Sequence, residues 1–252
     1  MIKLIVSDFD GTLMPYGTQA VSNTIKEKIK LLLSKNISFA VSSGRTYKEI
    51  LRFLPEFEDK IYFICCDGAH YIKNNKSLYE RHIELSDINC VLSQCNADCS
   101  AIFHGIESNY AFGSIPLEAK RYEALPIKTF NDIKEKIFKI SLYGGEFKLP
   151  VYSGIRLHWD GGPNSAKQYV NRFSDKGTAL SNLQTRLMLS KFDTVCIGDS
   201  DNDISMMRNA KYSFSVGDRS PKLVSATNKN VVSAENVLDF CILECENNTK
   251  QH

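Results

Sequence analysis

The sequence has little of what marks a membrane, secreted or nucleic-acid-binding protein. No uninterrupted apolar stretch approaches the roughly 20 residues that a helix needs to span a bilayer. The apolar run at residues 1–6 is too short for a signal peptide. No block of lysine or arginine stands out, and the formal net charge is only +2. We therefore expect a cytoplasmic protein that has neither a membrane nor nucleic acid as its partner.

The C-x-x-C pairs that often bind metals are also missing. The chain has 8 cysteines but no C-x-x-C pair. A zinc site in the group formed by Cys90, Cys95 and Cys99 is therefore possible but not favoured. Because no secretory signal is evident, the thiols are expected to be reduced.

What the sequence does contain is a series of short apolar runs that end abruptly in small or acidic residues. The runs are 4–6, 37–41, 61–66, 194–197 and 212–216. Near-continuous apolar strands of this kind are typical of a parallel sheet that is covered on both faces. Helix-like stretches lie between them, at 178–189, at 202–209 and after the plausible N-cap Ser22. The alternation predicts a doubly wound, Rossmann-like α/β fold.

This rhythm disappears in the middle of the chain, from about residue 82 to residue 168. The predicted helices there are 86–95 and 131–137, the predicted strands are 140–143 and 154–159, and a turn is predicted at 159–162. The segment is interpreted as a small α+β domain, 82–168, inserted into a core formed by 1–81 and 169–252.

In an open α/β sheet, ligands bind beyond the carboxyl ends of the strands. The predicted sheet brings to that edge Asp8, Asp10, Ser43, Asp199 and Asp203. Four carboxylates in one pocket repel one another unless a cation lies among them. An all-oxygen ligand set suits a hard ion, and Mg²⁺ is the usual one when a phosphate is also bound.

Other groups near the same edge suit phosphate oxygens. They are the hydroxyl of Ser43, the ammonium of Lys176, which precedes a predicted helix, and the backbone N–H groups of Gly11 and Gly44. The composition therefore predicts a phosphoryl-transfer site.

Each element has an ordinary structural interpretation when it is taken alone. An Asp-x-Asp pair is more often a turn than a site, and residues 198–203 could be a loop that leads into a helix N-cap. Residues 43–45 could begin a helix, and residues 176–177 could form a surface turn. The combination favours function, because each element follows an apolar strand or opens a helix.

The ordered set resembles the haloacid dehalogenase superfamily. The segments that match its four motifs are Asp8-Phe9-Asp10-Gly11-Thr12, Ser43 before Gly44-Arg45, Lys176 within 175–180, and Gly198-Asp199-Ser200-Asp201-Asn202-Asp203. The resemblance covers nearly the whole chain. The insertion lies where the Cof-type, or type IIB, phosphatases carry their C2-type cap domain.

The resemblance implies a role for each matching residue. Asp8 would be the nucleophile and a magnesium ligand, and Asp10 would be the general acid/base and would ligate the metal through its backbone carbonyl. Ser43 would bind the transferring phosphoryl group, and Lys176 would offset the charge of Asp8 and the phosphate. The remaining residues of the metal site would be Asp199, as a direct ligand, and Asn202 or Asp203, in support.

Two departures from the subfamily pattern concern the leaving-group side of the pocket. Asp67-Gly68-Ala69 stands where Asn-Gly-Ala is usual, and Gly217-Asp218-Arg219 stands where Gly-Asn-Ala is often found. Asp67 would add a negative charge near the phosphate. Arg45 fits the pattern and could bind substrate, although an arginine at a helix start is as often structural.

The resemblance implies a phosphatase for a small phosphomonoester, either a sugar phosphate or a nucleotide-related phosphate, acting as a monomer or weak homodimer. A phosphomutase is the nearest alternative, but the insertion has no obvious arginine cluster to hold a phosphorylated substrate. Two further alternatives are a phospho-acceptor signalling protein and a silent phosphosugar sensor. Asp10, placed to activate water, argues against phosphate capture without turnover.

Overall fold

The computed structural model describes residues 1–95, 99–144, 148, 153–160 and 166–249. The chain divides into two compact units, one formed by 1–79 together with 175–252 and one formed by 80–174. The turn predicted at 159–162 lies partly outside the described residues, and its first two residues end a strand.

The secondary structure alternates in the first unit and is mostly β in the second. The strands are β1 (Leu4–Asp8), β2 (Ser38–Ser42), β3 (Tyr62–Cys65), β4 (His70–Lys73), β5 (Lys76–Glu80), β6 (Ser100–His104), β7 (Asn109–Phe112), β8 (Leu125–Ile127), β9 (Lys139–Tyr143), β10 (Ile155–Asp160), β11 (Lys167–Asn171), β12 (Thr194–Gly198), β13 (Tyr212–Val216) and β14 (Lys229–Val231). The helices are α1 (Asn23–Ser34), α2 (Tyr47–Leu51), α3 (Leu85–Gln94), α4 (Lys176–Arg186), α5 (Ile204–Met207), α6 (Pro221–Ala226) and α7 (Ala234–Thr249).

The first unit is built on an eight-stranded sheet in the order β14-β13-β12-β1-β2-β3-β4-β5. Neighbouring strands from β14 to β3 are parallel, and β4 runs antiparallel to β3. All five residues of β1 are buried. Because successive side chains of a strand point to opposite faces, both faces of the sheet are covered at β1. The doubly wound α/β fold is therefore confirmed.

The first helix follows its predicted pattern. The hydroxyl of Ser22 accepts a hydrogen bond from the N–H of Ile25 at 3.2 Å and so caps α1. Ile29 and Leu32 are fully buried on its inner face. Asn36 has φ 60°, and this left-handed residue turns the chain from α1 into β2.

The two helices that follow the later motifs begin differently from the predictions. The helix predicted at 178–189 is α4, which already begins at Lys176 because Asp175 caps it by accepting from the N–H of Thr178 at 2.9 Å. The helix predicted at 202–209 is divided into a 3₁₀ turn over Asp201–Asp203 and the short α5.

The second unit has a six-stranded sheet in the order β10-β11-β9-β6-β7-β8. All of its neighbouring strands are antiparallel except β7 and β8. Val91 of α3 packs in one apolar cluster with Phe103 of β6 and Ile140 of β9. The predicted helix 86–95 and the predicted strands 140–143 and 154–159 are confirmed as α3, β9 and β10.

The prediction of a helix at 131–137 is wrong. Only a 3₁₀ turn forms, over Phe130–Asp132. The backbone of Ile137 instead pairs with that of Ile83, whose N–H donates to its carbonyl at 2.7 Å. The carboxylate of Glu135 accepts hydrogen bonds from backbone N–H groups of the loop between β6 and β7. These tertiary bonds override the helical pattern of the segment.

The second unit is longer than the predicted 82–168, because it begins at Glu80 and ends at Ser174. The predicted end would cut through β11, which pairs with both β9 and β10. The amide of Asn171 donates to the carbonyl of His82 at 2.9 Å and joins the two ends of the unit. Among the described residues of the whole chain, no helix is long and apolar enough to cross a membrane.

Candidate active site

The first motif begins at the end of β1, at the carboxyl edge of the sheet. Asp8 is the last residue of β1, and Asp10 lies in the tight turn that follows, where the N–H of Met14 donates to the carbonyl of Phe9 at 2.9 Å. Gly11 has φ +81°, and a Cβ atom there would lie 2.4 Å from Oδ2 of Asp199. The turn therefore requires glycine both for its backbone conformation and for its close approach to Asp199.

The fourth motif is organised by one carboxylate oxygen. Oδ2 of Asp203 accepts hydrogen bonds from the N–H groups of Asp199, at 3.0 Å, and Ser200, at 3.1 Å. A Cβ atom on Gly198 would lie 2.5 Å from the same oxygen, so only glycine leaves room for this arrangement. Asp203 is completely buried, and its other oxygen faces Lys176.

Lys176 joins the first and fourth motifs. Its Nζ lies 2.5 Å from Oδ1 of Asp8 and 2.6 Å from Oδ1 of Asp203. Burial by itself lowers the pKa of Lys176, but the carboxylates of Asp203 and Asp8 raise it above its ordinary value. The side chain is therefore an ammonium ion at neutral pH, buried between two carboxylates.

Asp8, Asp199 and Asp203 form an acidic triad whose ligand oxygens lie within 4.8 Å of one another. Burial raises the pKa of Asp8 well above its ordinary range, against the attraction of Lys176, and burial likewise raises the pKa of Asp199. Oδ1 of Asp199 is buried and has no hydrogen-bond partner among the described residues. A crowded, oxygen-only set with one unsatisfied oxygen fits a hard divalent cation such as Mg²⁺.

Asp10 lies outside this triad and has a partner of its own. Arg45 donates to its two carboxylate oxygens, from Nε at 2.8 Å and from Nη2 at 2.7 Å. The guanidinium carbon of Arg45 also lies 5.3 Å from the centre of the Phe9 ring and 5.1 Å from the centre of the Phe53 ring. The side chain of Asp10 is 38% exposed, so solvent and small molecules can reach it.

The second motif is hydrogen-bonded to the turn that follows β3. Ser43 is buried, and its hydroxyl accepts from the N–H of Arg45 at 3.1 Å. The carbonyl of Ser43 accepts from the N–H of Asp67 at 3.0 Å. A Cβ atom on Gly44 would lie 2.9 Å from Oδ2 of Asp67. Ser43 and Gly44 thus lie beside Asp67, at the edge of the sheet where β2 and β3 end.

Asp67 lies in an unusual turn of three successive residues with positive φ, together with Cys66 and Gly68. Its Oδ1 accepts from the side-chain amide of Asn202 at 3.1 Å. The amide oxygen of Asn202 accepts in turn from the hydroxyl of Ser200 at 2.7 Å. Asn202 therefore connects the loop after β3 with the fourth motif, a contact that the expected role in metal binding did not include.

A further contact was not anticipated from the sequence. The hydroxyl of Tyr16 donates to Oδ2 of Asp199 at 2.9 Å. The guanidinium of Arg219 lies 4.3 Å from the centre of the Tyr16 ring. Tyr16 belongs to no motif, and Arg219 stood out only as a departure from the pattern of the subfamily.

The sequence is similar to a known family and to proteins that are named phosphatases. A family model described as haloacid dehalogenase-like hydrolase matches residues 5–149 and 154–239. Over 94% of its length the chain is 23% identical to the 5-amino-6-(5-phospho-D-ribitylamino)uracil phosphatase YbjI of Escherichia coli (strain K12), of which it covers 94%. Over 86% of its length it is 22% identical to the phosphatase YcsE of Bacillus subtilis (strain 168), named for the same compound, of which it covers 84%.

The fold is also found among solved structures. The HAD subclass IIB sugar phosphatase BT4131 superposes with a TM-score of 0.77 at 16% sequence identity. The match covers 95% of this chain and 99% of that one. At this identity the likeness establishes a shared fold.

Proposed function

The chain belongs to the haloacid dehalogenase-like hydrolases, and from this membership we propose that it is a magnesium-dependent phosphatase that acts through an aspartyl-phosphate. Its curated relatives include phosphatases, and the chain is a phosphoric monoester hydrolase. The inserted unit, 80–174, is proposed to be the C2-type cap that selects the substrate.

The observation that carries the proposal is the buried arrangement of Lys176 between Asp8 and Asp203. An isolated buried carboxylate takes up a proton and is then a poor nucleophile. The ammonium, 2.5 Å from Asp8, favours the ionised form that can attack phosphorus. Asp8, Asp199 and Asp203 would hold Mg²⁺, which when bound supplies positive charge to the carboxylates and to phosphate oxygens.

In the proposed reaction an oxygen of Asp8 forms a bond to phosphorus while the bond from phosphorus to the leaving oxygen breaks. Asp10 gives its proton to the leaving alcohol and later takes one from the water that cleaves the aspartyl-phosphate. Both carboxylate oxygens of Asp10 accept hydrogen bonds from Arg45, so Asp10 must exchange this partner for the substrate oxygen. Ser43 and the backbone N–H of Gly44 are proposed to hold the phosphoryl oxygens.

The proposed substrates are sugar phosphates and nucleotide-related phosphates. Two relatives are named for a phospho-D-ribitylamino uracil, and one structural neighbour is named a sugar phosphatase. Asp67 lies beside Gly44 and adds a carboxylate to this edge of the sheet. That charge disfavours a leaving group that carries a second negative charge and suits one that carries hydroxyl groups.

The proposal is tested by measuring phosphate release from a panel of phosphomonoesters, with Mg²⁺ and with a chelator. We expect the wild type to require Mg²⁺, and Asp8→Asn to lose nearly all activity. Asp10→Asn should lower kcat by about two to four powers of ten, because proton transfer is lost. Asp239→Asn is the matched control, because it makes the same change in a surface ion pair with Lys28.

Unchanged activity of Asp8→Asn would overturn the mechanism. A stable phosphorylated protein without release of phosphate would instead fit a phospho-acceptor. Conversion of one hexose phosphate into another, without release, would fit a mutase.

A further inference from the structure

An exposed aromatic residue reaches into the buried part of the site. Tyr16 lies in the loop between β1 and α1, and 58% of its surface is exposed. Its hydroxyl nevertheless donates to Oδ2 of Asp199, a residue that is only 3% exposed. Tyr16 and Asp199 are 183 positions apart in the sequence, so this contact is a product of the fold.

The contact gives the two oxygens of Asp199 different environments. Oδ2 is held by the tyrosine hydroxyl, whereas Oδ1 is buried and has no hydrogen-bond partner in the described part of the chain. A carboxylate held at one oxygen cannot rotate freely about its Cβ–Cγ bond. Oδ1 is thereby left as the oxygen that Asp199 can offer to a cation, in a triad in which each residue has one carboxylate oxygen within 4.8 Å of the others.

Tyr16 is itself held in place by two neighbours. The guanidinium of Arg219 lies 4.3 Å from the centre of its ring, a stacking distance for a cation and an aromatic face. Gly11 allows the ring to approach the backbone, because a Cβ atom there would lie 2.5 Å from Cε2 of Tyr16.

The hydroxyl of Tyr16 is the donor of the pair that it forms with Asp199, since an ionised carboxylate can only accept hydrogen bonds.

We propose that Tyr16, held by Arg219, is a positioning residue that fixes Asp199 with Oδ1 towards the metal position and so sets the affinity of the site for Mg²⁺. The inference rests on the proposed magnesium-dependent function and adds a residue to it. Groups that hold a metal ligand in this way commonly change metal affinity or activity by about 10-fold to 100-fold when they are removed.

The test compares Tyr16→Phe with the wild type by isothermal titration calorimetry with Mg²⁺, in the absence of substrate. Phenylalanine keeps the ring for Arg219 and removes only the hydroxyl. We expect the Kd for Mg²⁺ to rise about 10-fold. The Mg²⁺ concentration that gives half-maximal activity should rise by the same factor, while kcat at saturating Mg²⁺ stays within about twofold of the wild type.

The matched control is Tyr47→Phe, which removes a tyrosine hydroxyl that bonds Glu58 instead of a member of the triad. Its Kd for Mg²⁺ should equal that of the wild type. Arg219→Ala should weaken Mg²⁺ binding by a smaller factor than Tyr16→Phe, because the ring loses its stacking partner but the hydroxyl remains. Thermal unfolding in EDTA should be the same for Tyr16→Phe and the wild type, since a merely structural role would alter it.

A Kd for Tyr16→Phe within twofold of the wild type would overturn the proposal. Tighter Mg²⁺ binding by Arg219→Ala would overturn the role given to the stacked arginine, since loss of its positive charge would then outweigh loss of the stack. The result is separable from the proposed function, because calorimetry needs no substrate. A wild type that binds Mg²⁺ but releases no phosphate would overturn the function alone, whereas one that binds no Mg²⁺ would overturn both.

Discussion

Lys176 illustrates at the scale of a single residue how the site tolerates its buried charges. Its side chain is 1% exposed and lies between the carboxylates of Asp8 and Asp203. A buried ion pair of this kind adds little net stability, because both partners lose their hydration. Removal of one partner, however, leaves the other charges buried without compensation.

We therefore predict that Lys176→Met destabilises the Mg²⁺-free chain by about 3–5 kcal/mol, as measured by urea unfolding. Phosphatase activity should be lost as well, because Asp8 then favours its protonated form. Lys28→Met is the control, since Lys28 also contacts two carboxylates, those of Glu235 and Asp239, but at the surface. Its effect should stay below about 1 kcal/mol. Equal unfolding midpoints for the two variants would contradict the role of Lys176 as the buried counter-charge.

The sequence identified the charged residues of the site but not all of their partners. Asp8, Lys176 and Asp203 were expected together, because each follows a strand or opens a helix at one edge of the sheet. The contacts of Asp10 with Arg45 and of Tyr16 with Asp199 were not expected. They depend on the direction in which a side chain leaves a loop, which no local pattern encodes.

At the scale of elements, the position of Lys176 depends on how α4 meets the turn after β3. Gly68 has φ +85°, and a Cβ atom there would lie 2.2 Å from the carbonyl oxygen of Asp175. Asp175 is the N-cap of α4, and Lys176 is the first residue of that helix. Gly68 thus allows the turn to pack against the residue that begins the helix.

We predict that Gly68→Ala destabilises the chain by about 2–4 kcal/mol, because the new methyl group adds a clash with Asp175 to the strain of a positive φ. It should also lower kcat, because α4 must shift and carry Lys176 with it. Gly17→Ala is a close control, since Gly17 has φ +82° but no described atom lies within 4 Å of its Cβ position. It should cost only about 1–2 kcal/mol, from the strain of the positive φ. Urea unfolding and steady-state kinetics check both variants, and equal losses would contradict the packing argument.

Elements in the second unit show where periodicity misleads. Residues 131–137 have helical spacing, yet Ile137 pairs with Ile83, and Glu135 bonds the loop between β6 and β7. By contrast, α3 and β9 follow their predicted patterns, because their apolar faces bury against the same cluster. The secondary structure of a short segment is determined by its tertiary hydrogen bonds. The secondary structure of a longer amphipathic segment is determined by the apolar face that it buries.

At the scale of the whole molecule, the triad links stability to Mg²⁺ and pH. Burial raises the pKa of Asp8 and of Asp199, so both carboxyl groups take up a proton more readily in the metal-free fold than in the unfolded chain. A carboxyl group with a raised pKa contributes stability below its unfolded pKa, and this contribution is lost as the pH rises through the folded pKa. Mg²⁺ binds the ionised carboxylates. At high pH it therefore offsets the lost stability, and at low pH it competes with protons for the same oxygens.

We therefore predict that Mg²⁺ raises the melting temperature of the wild type, and that the difference between Mg²⁺ and EDTA widens from acidic to neutral pH. At a free Mg²⁺ concentration of about 10 times Kd, the stabilisation should approach about 1.4 kcal/mol. In Asp199→Asn the difference should be much smaller at every pH, because a ligand is lost. A difference that does not change with pH would contradict the raised pKa values.

The sequence by itself determined the class of fold, the order of the motifs and the residue types of the site. These depend on local patterns, since apolar strands that end in carboxylates can be recognised without knowing their neighbours. Only the tertiary structure decided that Lys176 bridges Asp8 and Asp203, that Arg45 holds Asp10, and that Asn202 bonds Asp67. These contacts join residues far apart in the chain, and they depend on strand order and on the conformation of the loops, which local periodicity does not specify.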